Sequence, residues 1–129
     1  MHTDLVHALA ARYYTDPEIF GGELNGVLAR TWQYAGHISR LPEAGDYFSF
    51  EIAGQSLFCI RDDDGEVRTY HNVCQHRAHE LVKGEGNTGT RFIVCPYHGW
   101  AYDLHGNMRT GPNIKSVPGF DCSRIRLSA

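Results

Sequence analysis

Long apolar runs are missing from this 129-residue chain. Its runs, such as Phe92 to Val94, fall far short of the roughly 20 residues a helix needs to cross a bilayer. No basic stretch followed by an apolar core opens the chain, so nothing reads as a secretory signal and the cytoplasm is the expected compartment. A surplus of one charge is missing too. The 12 Lys and Arg against 15 Asp and Glu leave a formal charge of −3, which argues against nucleic acid or an anionic membrane surface as a partner. There is no low-complexity segment and no repeat beyond a pair of short loops. What is present, 42% hydrophobic, 12% aromatic and 21% charged residues, matches a soluble folded chain rather than a disordered one. The length fits one domain with room for one appended element.

From Asp4 to Arg30, Leu5, Leu9 and Tyr13 stand at helical spacing, break at Asp16-Pro17, and are followed by Ile19, Leu24 and Leu28. Two short helices are expected. From Trp32 onward, alternation with β-branched and aromatic enrichment, punctuated by Gly and Pro, reads as short strands. Tyr47 to Ile52 and Leu57 to Arg61 bracket Ala53-Gly54-Gln55, and Asp62 to Gly65 separates Leu57 to Arg61 from Val67 to His71. Two hairpins follow. Arg91 to Val94 is a further strand, and Trp100 to Asp103 pairs with Met108 to Thr110 across Leu104 to Asn107. The fold class is therefore mostly β, small antiparallel sheets preceded by short N-terminal helices, with residues 1–31 as a helical lead-in and 32–129 as the β domain.

Four cysteines suit either disulfides or metal ligands, and histidine separates the two readings. Cys74 and Cys95 each have a histidine two or three positions later, whereas Cys59 and Cys122 have none and read as ordinary thiols. The pattern is Cys74-Gln75-His76, eighteen residues, then Cys95-Pro96-Tyr97-His98. A Rieske centre holds one iron through two thiolates and the other through two imidazoles, so that each loop serves both irons. Cys74, His76, Cys95 and His98 are the expected ligands of such a [2Fe–2S] cluster. Imidazole in place of thiolate removes negative charge and raises the reduction potential. A tetrahedral Cys₂His₂ zinc site uses the same donors, but zinc fingers put both cysteines in one loop and both histidines on one helix. Here each loop mixes them.

The stretches Asn72-Val73-Cys74-Gln75-His76-Arg77-Ala78 and Cys95-Pro96-Tyr97-His98-Gly99-Trp100-Ala101-Tyr102-Asp103-Leu104-His105-Gly106 resemble the Rieske oxygenase large (α) subunits. Upstream, Tyr13 to Phe20, Arg30 to His37 and Leu41 to Tyr47 resemble the segments by which those subunits enter their Rieske domain. Two positions depart: Ala78, where Gly is usual, and His105, where an acidic residue is usual. The resemblance implies an electron-entry domain, followed in the family by a catalytic domain with mononuclear Fe(II). It also implies a reductase or ferredoxin donor and transfer to a neighbouring subunit of a homotrimer. The reaction would be aromatic-ring hydroxylation or oxidative demethylation, by a monooxygenase or dioxygenase. A free-standing Rieske ferredoxin is the competing class, weakened by the long N-terminal lead-in. The extra cysteine pair of cytochrome bc-type Rieske proteins is absent, which points to a potential in the lower Rieske range.

Within these residues no catalytic residue and no facial triad of two histidines and a carboxylate stands out. His71 reads as a strand-end residue and His79 as a polar loop residue. Arg77 reads as a loop cation near the ligands. Trp100 and Tyr102 are expected to shield the cluster. Asp62-Asp63-Asp64-Gly65 lacks the later ligands of a calcium loop and reads as a hairpin turn.

Overall fold

The computed structural model describes residues 8–129. The chain divides into two units, Met1–Gln33 and Tyr34–Ala129.

In the first unit, α1 (Arg12–Thr15) is a single turn and α2 (Pro17–Gly26) is the main helix. The break between them is set by Asp16-Pro17. Proline fits the first helical position, where its missing N–H is not needed, and the Asp16 carboxylate accepts from the Glu18 amide at 2.9 Å. The first helix is shorter than its spacing suggests: Leu9 lies ahead of α1 and is exposed, and Leu5 is outside the described residues. Leu28 falls in a separate 3₁₀ turn, Leu28–Arg30, beyond Gly26. None of these helical residues is buried, and Tyr14, Phe20 and Val27 are exposed.

The second unit holds two antiparallel sheets. β1 (Asp46–Ile52), β2 (Gln55–Arg61), β3 (Val67–His71) and β4 (Glu85–Asn87) form a four-stranded sheet in the order β3-β2-β1-β4. β5 (Phe92–Val94), β6 (Ala101–Asp103) and β7 (Met108–Thr110) form a three-stranded sheet in sequential order. Gln55 pairs with Ile52, so the first hairpin closes over Ala53-Gly54 alone, both at positive φ (52° and 73°) as tight hairpin turns require. Asp62 closes the second hairpin: its buried carboxylate accepts from the Asp64 and Glu66 amides at 2.9 and 2.8 Å and from the Arg68 guanidinium. β4 carries no strand pattern in its sequence, Glu-Gly-Asn. It pairs with β1 through Asp46–Asn87, Tyr47–Gly86 and Phe48–Glu85, and glycine at 86 leaves room for Tyr47, whose hydroxyl would sit 3.1 Å from any Cβ there.

Phe58, Ile60 and Tyr70 of the first sheet meet Ile93, Tyr102 and Met108 of the second, with Leu81, Leu104 and Leu127 filling the space between. Each such aliphatic or aromatic burial contributes about 1.5–3 kcal/mol. Cys74 and Cys95 belong to this same core, which fixes where the loops that carry them begin. Among the described residues, no helix is long and apolar enough to cross a membrane.

Candidate metal centre

The two Cys/His loops have the same backbone. In the first, the Cys74 N–H donates to the His79 carbonyl at 2.9 Å and the Ala78 N–H donates back to the Cys74 carbonyl at 2.9 Å. In the second, the Cys95 N–H donates to the Trp100 carbonyl at 2.8 Å and the Gly99 N–H to the Cys95 carbonyl at 3.0 Å. In both, the residue four after cysteine is left-handed: Ala78 at φ 55° and Gly99 at φ 70°. Glycine adopts that conformation freely, while alanine is strained there.

This shared turn sorts the donors by chemistry. Each cysteine stands at the base and is buried, 2% exposed; His76 is exposed and His98 half-buried toward the tips. The two imidazoles meet edge to face with centroids 4.7 Å apart. Among the described residues, no three of the donor atoms of Cys74, His76, Cys95 and His98 lie within 4.8 Å of one another. A single tetrahedral zinc, with bonds of about 2.0–2.3 Å, draws its ligand atoms closer than that. Buried thiols at one end and accessible imidazoles at the other match a two-metal group that divides them.

The surroundings hold the donors in place. The Tyr102 hydroxyl accepts from the Gln75 N–H at 3.1 Å and stands 3.3 Å from the Cys74 sulfur, in hydrogen-bond contact, and donates to it once the thiolate forms. Burial raises the pKa of Tyr102 and the Cys74 contact raises it further, so the phenol stays a donor. Burial also pushes the Cys74 thiol up and Cys95 beside it adds to this, opposed by Tyr102 and the His76 amide. A metal that takes up the thiolate displaces that proton. His98 is shifted down by desolvation and by His76, Arg77 and His79, toward the neutral imidazole that ligates metals. His76 stacks on Trp100 at 4.6 Å, and Phe120 meets the indole edge-on at 5.7 Å. Tyr97 lies 3.8 Å from the His98 ring, and His79 lies 5.4 Å from Tyr97.

Other candidates lie elsewhere. Cys59 is buried in a separate cluster with Leu41 and Phe48, its sulfur 3.2 Å from the Thr69 hydroxyl. Cys122 is half-buried in a 3₁₀ turn, and His71 ends β3. None of the four cysteines is paired in a disulfide. Asp62, Asp64 and His105 converge within 4.8 Å, but Asp62 is taken up by Arg68 and two amides, and His105 Nε2 sits 2.9 Å from Asp63. These contacts join the β2–β3 and β6–β7 turns. The hydrogen bond from Tyr102 to sulfur is invisible in the sequence, where Tyr102 reads only as a shield.

Known proteins agree with this geometry. The Rieske [2Fe–2S] domain family matches residues 31–121. The carnitine monooxygenase oxygenase subunit of Escherichia coli K12 is 40% identical over 119 residues, 92% of this chain and 32% of that protein. The quaternary ammonium Rieske monooxygenase CntA, whose structure gave insights into carnitine oxidation and inter-subunit electron transfer, superimposes with a TM-score of 0.83 at 32% identity, over 91% of this chain and 32% of that one. Naphthalene 1,2-dioxygenase from Rhodococcus sp. superimposes with a TM-score of 0.79 at 32% identity, over 87% and 26%. This chain spans about a third or less of these relatives. Two matching loops, their buried thiols and surface imidazoles, and these likenesses lead to one conclusion: the chain belongs to the Rieske [2Fe–2S] domain family.

Proposed function

We propose that Cys74 and Cys95 hold one iron and His76 and His98 the other iron of a [2Fe–2S] cluster. The domain then serves as the one-electron entry point of an oxygenase. The single observation behind the ligand set is the separation of two buried thiols from two surface imidazoles on twin loops. When bound, the group stores and releases one electron. The chain does the rest. Its core keeps water from the thiolates, the Tyr102 hydroxyl donates toward Cys74, and Trp100 fixes the plane of His76. The imidazole edges face outward, where a partner's iron can approach.

Residues 1–31 form a helical lead-in and 32–129 the Rieske domain proper. The exposed Tyr14, Phe20 and Val27 of the lead-in suit burial against further protein. The electron donor is a reductase or ferredoxin. The acceptor is mononuclear Fe(II) in the catalytic domain of the same or a neighbouring subunit of a cytoplasmic homotrimer. The substrate class is a small quaternary ammonium compound, favoured over an aromatic ring by the 40% identity to a carnitine monooxygenase subunit.

Iron per polypeptide and intact mass of the native gene product test this reading. A chain several-fold longer with nearly three irons supports the oxygenase. A native chain ending near Ala129 with two irons makes it a Rieske ferredoxin.

A further inference from the structure

The two ligand loops share a turn but not a stem. Beyond Cys95 and Trp100, the second loop continues into the β5–β6 ladder, Val94 with Ala101 and Ile93 with Tyr102. The first loop has no such ladder: β3 ends at His71 and pairs only with β2, and the chain after His79 is irregular up to β4. One side chain occupies the gap. Asn72 is 1% exposed, and its Oδ1 accepts from the Leu81 and Val82 amides at 2.9 and 3.1 Å. Its Nδ2 donates to the Val82 carbonyl at 2.8 Å and to the Ser56 hydroxyl at 3.3 Å. Both donors and both acceptor sites of the amide are used. The Asn72 backbone N–H donates to the Ser56 carbonyl at 2.9 Å, which anchors the group to the start of β2.

We infer that Asn72 is the positioning residue of the first ligand loop: its amide replaces the missing strand pair and holds Cys74 and His76 in register with Cys95 and His98. This rests on the ligand set proposed above. Asn72 itself touches neither the donor atoms nor a substrate. It acts through the backbone of residues 81 and 82, which closes the segment carrying Cys74, His76 and His79. A buried group with all four hydrogen bonds made is costly to replace, because each partner is left unpaired away from water.

The test uses the cluster-loaded full-length protein, with Asn72→Leu and Asn72→Asp beside the parent. Asn72→Leu is expected to speed hydrogen exchange of the Leu81 and Val82 amides about tenfold, the loss of roughly one net buried hydrogen bond, while the Ile93 and Tyr102 amides keep their protection. Its reduced-state electron paramagnetic resonance lines are expected to broaden, because the ligands of the first loop no longer hold one geometry. Asn72→Asp keeps both acceptor contacts but sets a carboxylate oxygen against the Val82 carbonyl where the amide donated at 2.8 Å, and is expected to broaden the lines as well. Unchanged line widths and protection in Asn72→Leu, in a protein whose parent carries the two cluster irons, overturn the inference. If Asn72→Leu does not accumulate, unchanged line widths in Asn72→Asp overturn it. A parent without iron overturns the ligand assignment instead.

Discussion

Set side by side, the two ligand loops make one turn from different materials. The second uses Gly99 at its left-handed position and a β ladder as its stem; the first uses Ala78, the Asn72 amide, and the Tyr102 hydroxyl on Cys74. The second loop is held by regular backbone structure, and the first by individual side chains. Single substitutions should therefore injure the first loop through side-chain chemistry and the second mainly through backbone conformation.

The largest effect tests what the loops share. Cys74→Ser and Cys95→Ser are each expected to abolish the cluster and its visible absorption, read as the loss of the two cluster irons per polypeptide. Retention of a normal cluster in either would remove that cysteine from the ligand set. Next, Tyr102→Phe separates the loops. It leaves the Gln75 amide unpaired and takes the donor from Cys74, at about 1–3 kcal/mol in stability. It is also expected to lower the reduction potential, since hydrogen bonds to the sulfur help set it. An unchanged potential would show that the 3.3 Å contact does not reach the cluster.

Acid should distinguish the stems. The second stem ends at Asp103, for which burial raises the pKa but Asn107 and Arg109 prevail, so that it is held below the ordinary carboxylate value. A group lowered in this way contributes stability above its unfolded pKa, about 3.9, and loses it as pH falls through the folded value. The first stem rests on a neutral amide. Below about pH 4, amides of β6 and β7 are expected to lose exchange protection before those of Leu81 and Val82. Asp103→Asn should flatten this acid dependence, and equal loss in both stems would erase the distinction.

The smallest effect is reciprocal. Gly99→Ala is expected to destabilise by about 1–2 kcal/mol through left-handed strain, with Pro112 already 3.4 Å from the added carbon. Ala78→Gly relieves the same strain at φ 55° and is expected to stabilise by about 0.5–1 kcal/mol after the entropy of glycine is subtracted. Thermal unfolding of both variants reads the pair.

Six of the seven strands were legible from alternation and turn residues because each is bounded by local chemistry, as Asp62 bounds β2 and Asp103 the turn into β7. β4 was not, since Glu85-Gly86-Asn87 becomes a strand only through its pairing with β1. The first helix was overdrawn because apolar spacing continues through Leu9, where no cap begins a helix. The four proposed ligands stand out through spacing and donor type. The Tyr102 and Asn72 contacts did not, because they join residues 28 and 9–10 positions apart in the chain with no local pattern between them.

The most direct test is the metal itself. Iron and zinc analysis of the full-length protein, with Mössbauer spectra of its reduced state, is expected to show, beside the mononuclear iron of the proposed catalytic domain, two inequivalent cluster irons, one held by thiolates and one by imidazoles. A colourless protein holding one zinc would contradict the division of buried thiols and surface imidazoles between two metals.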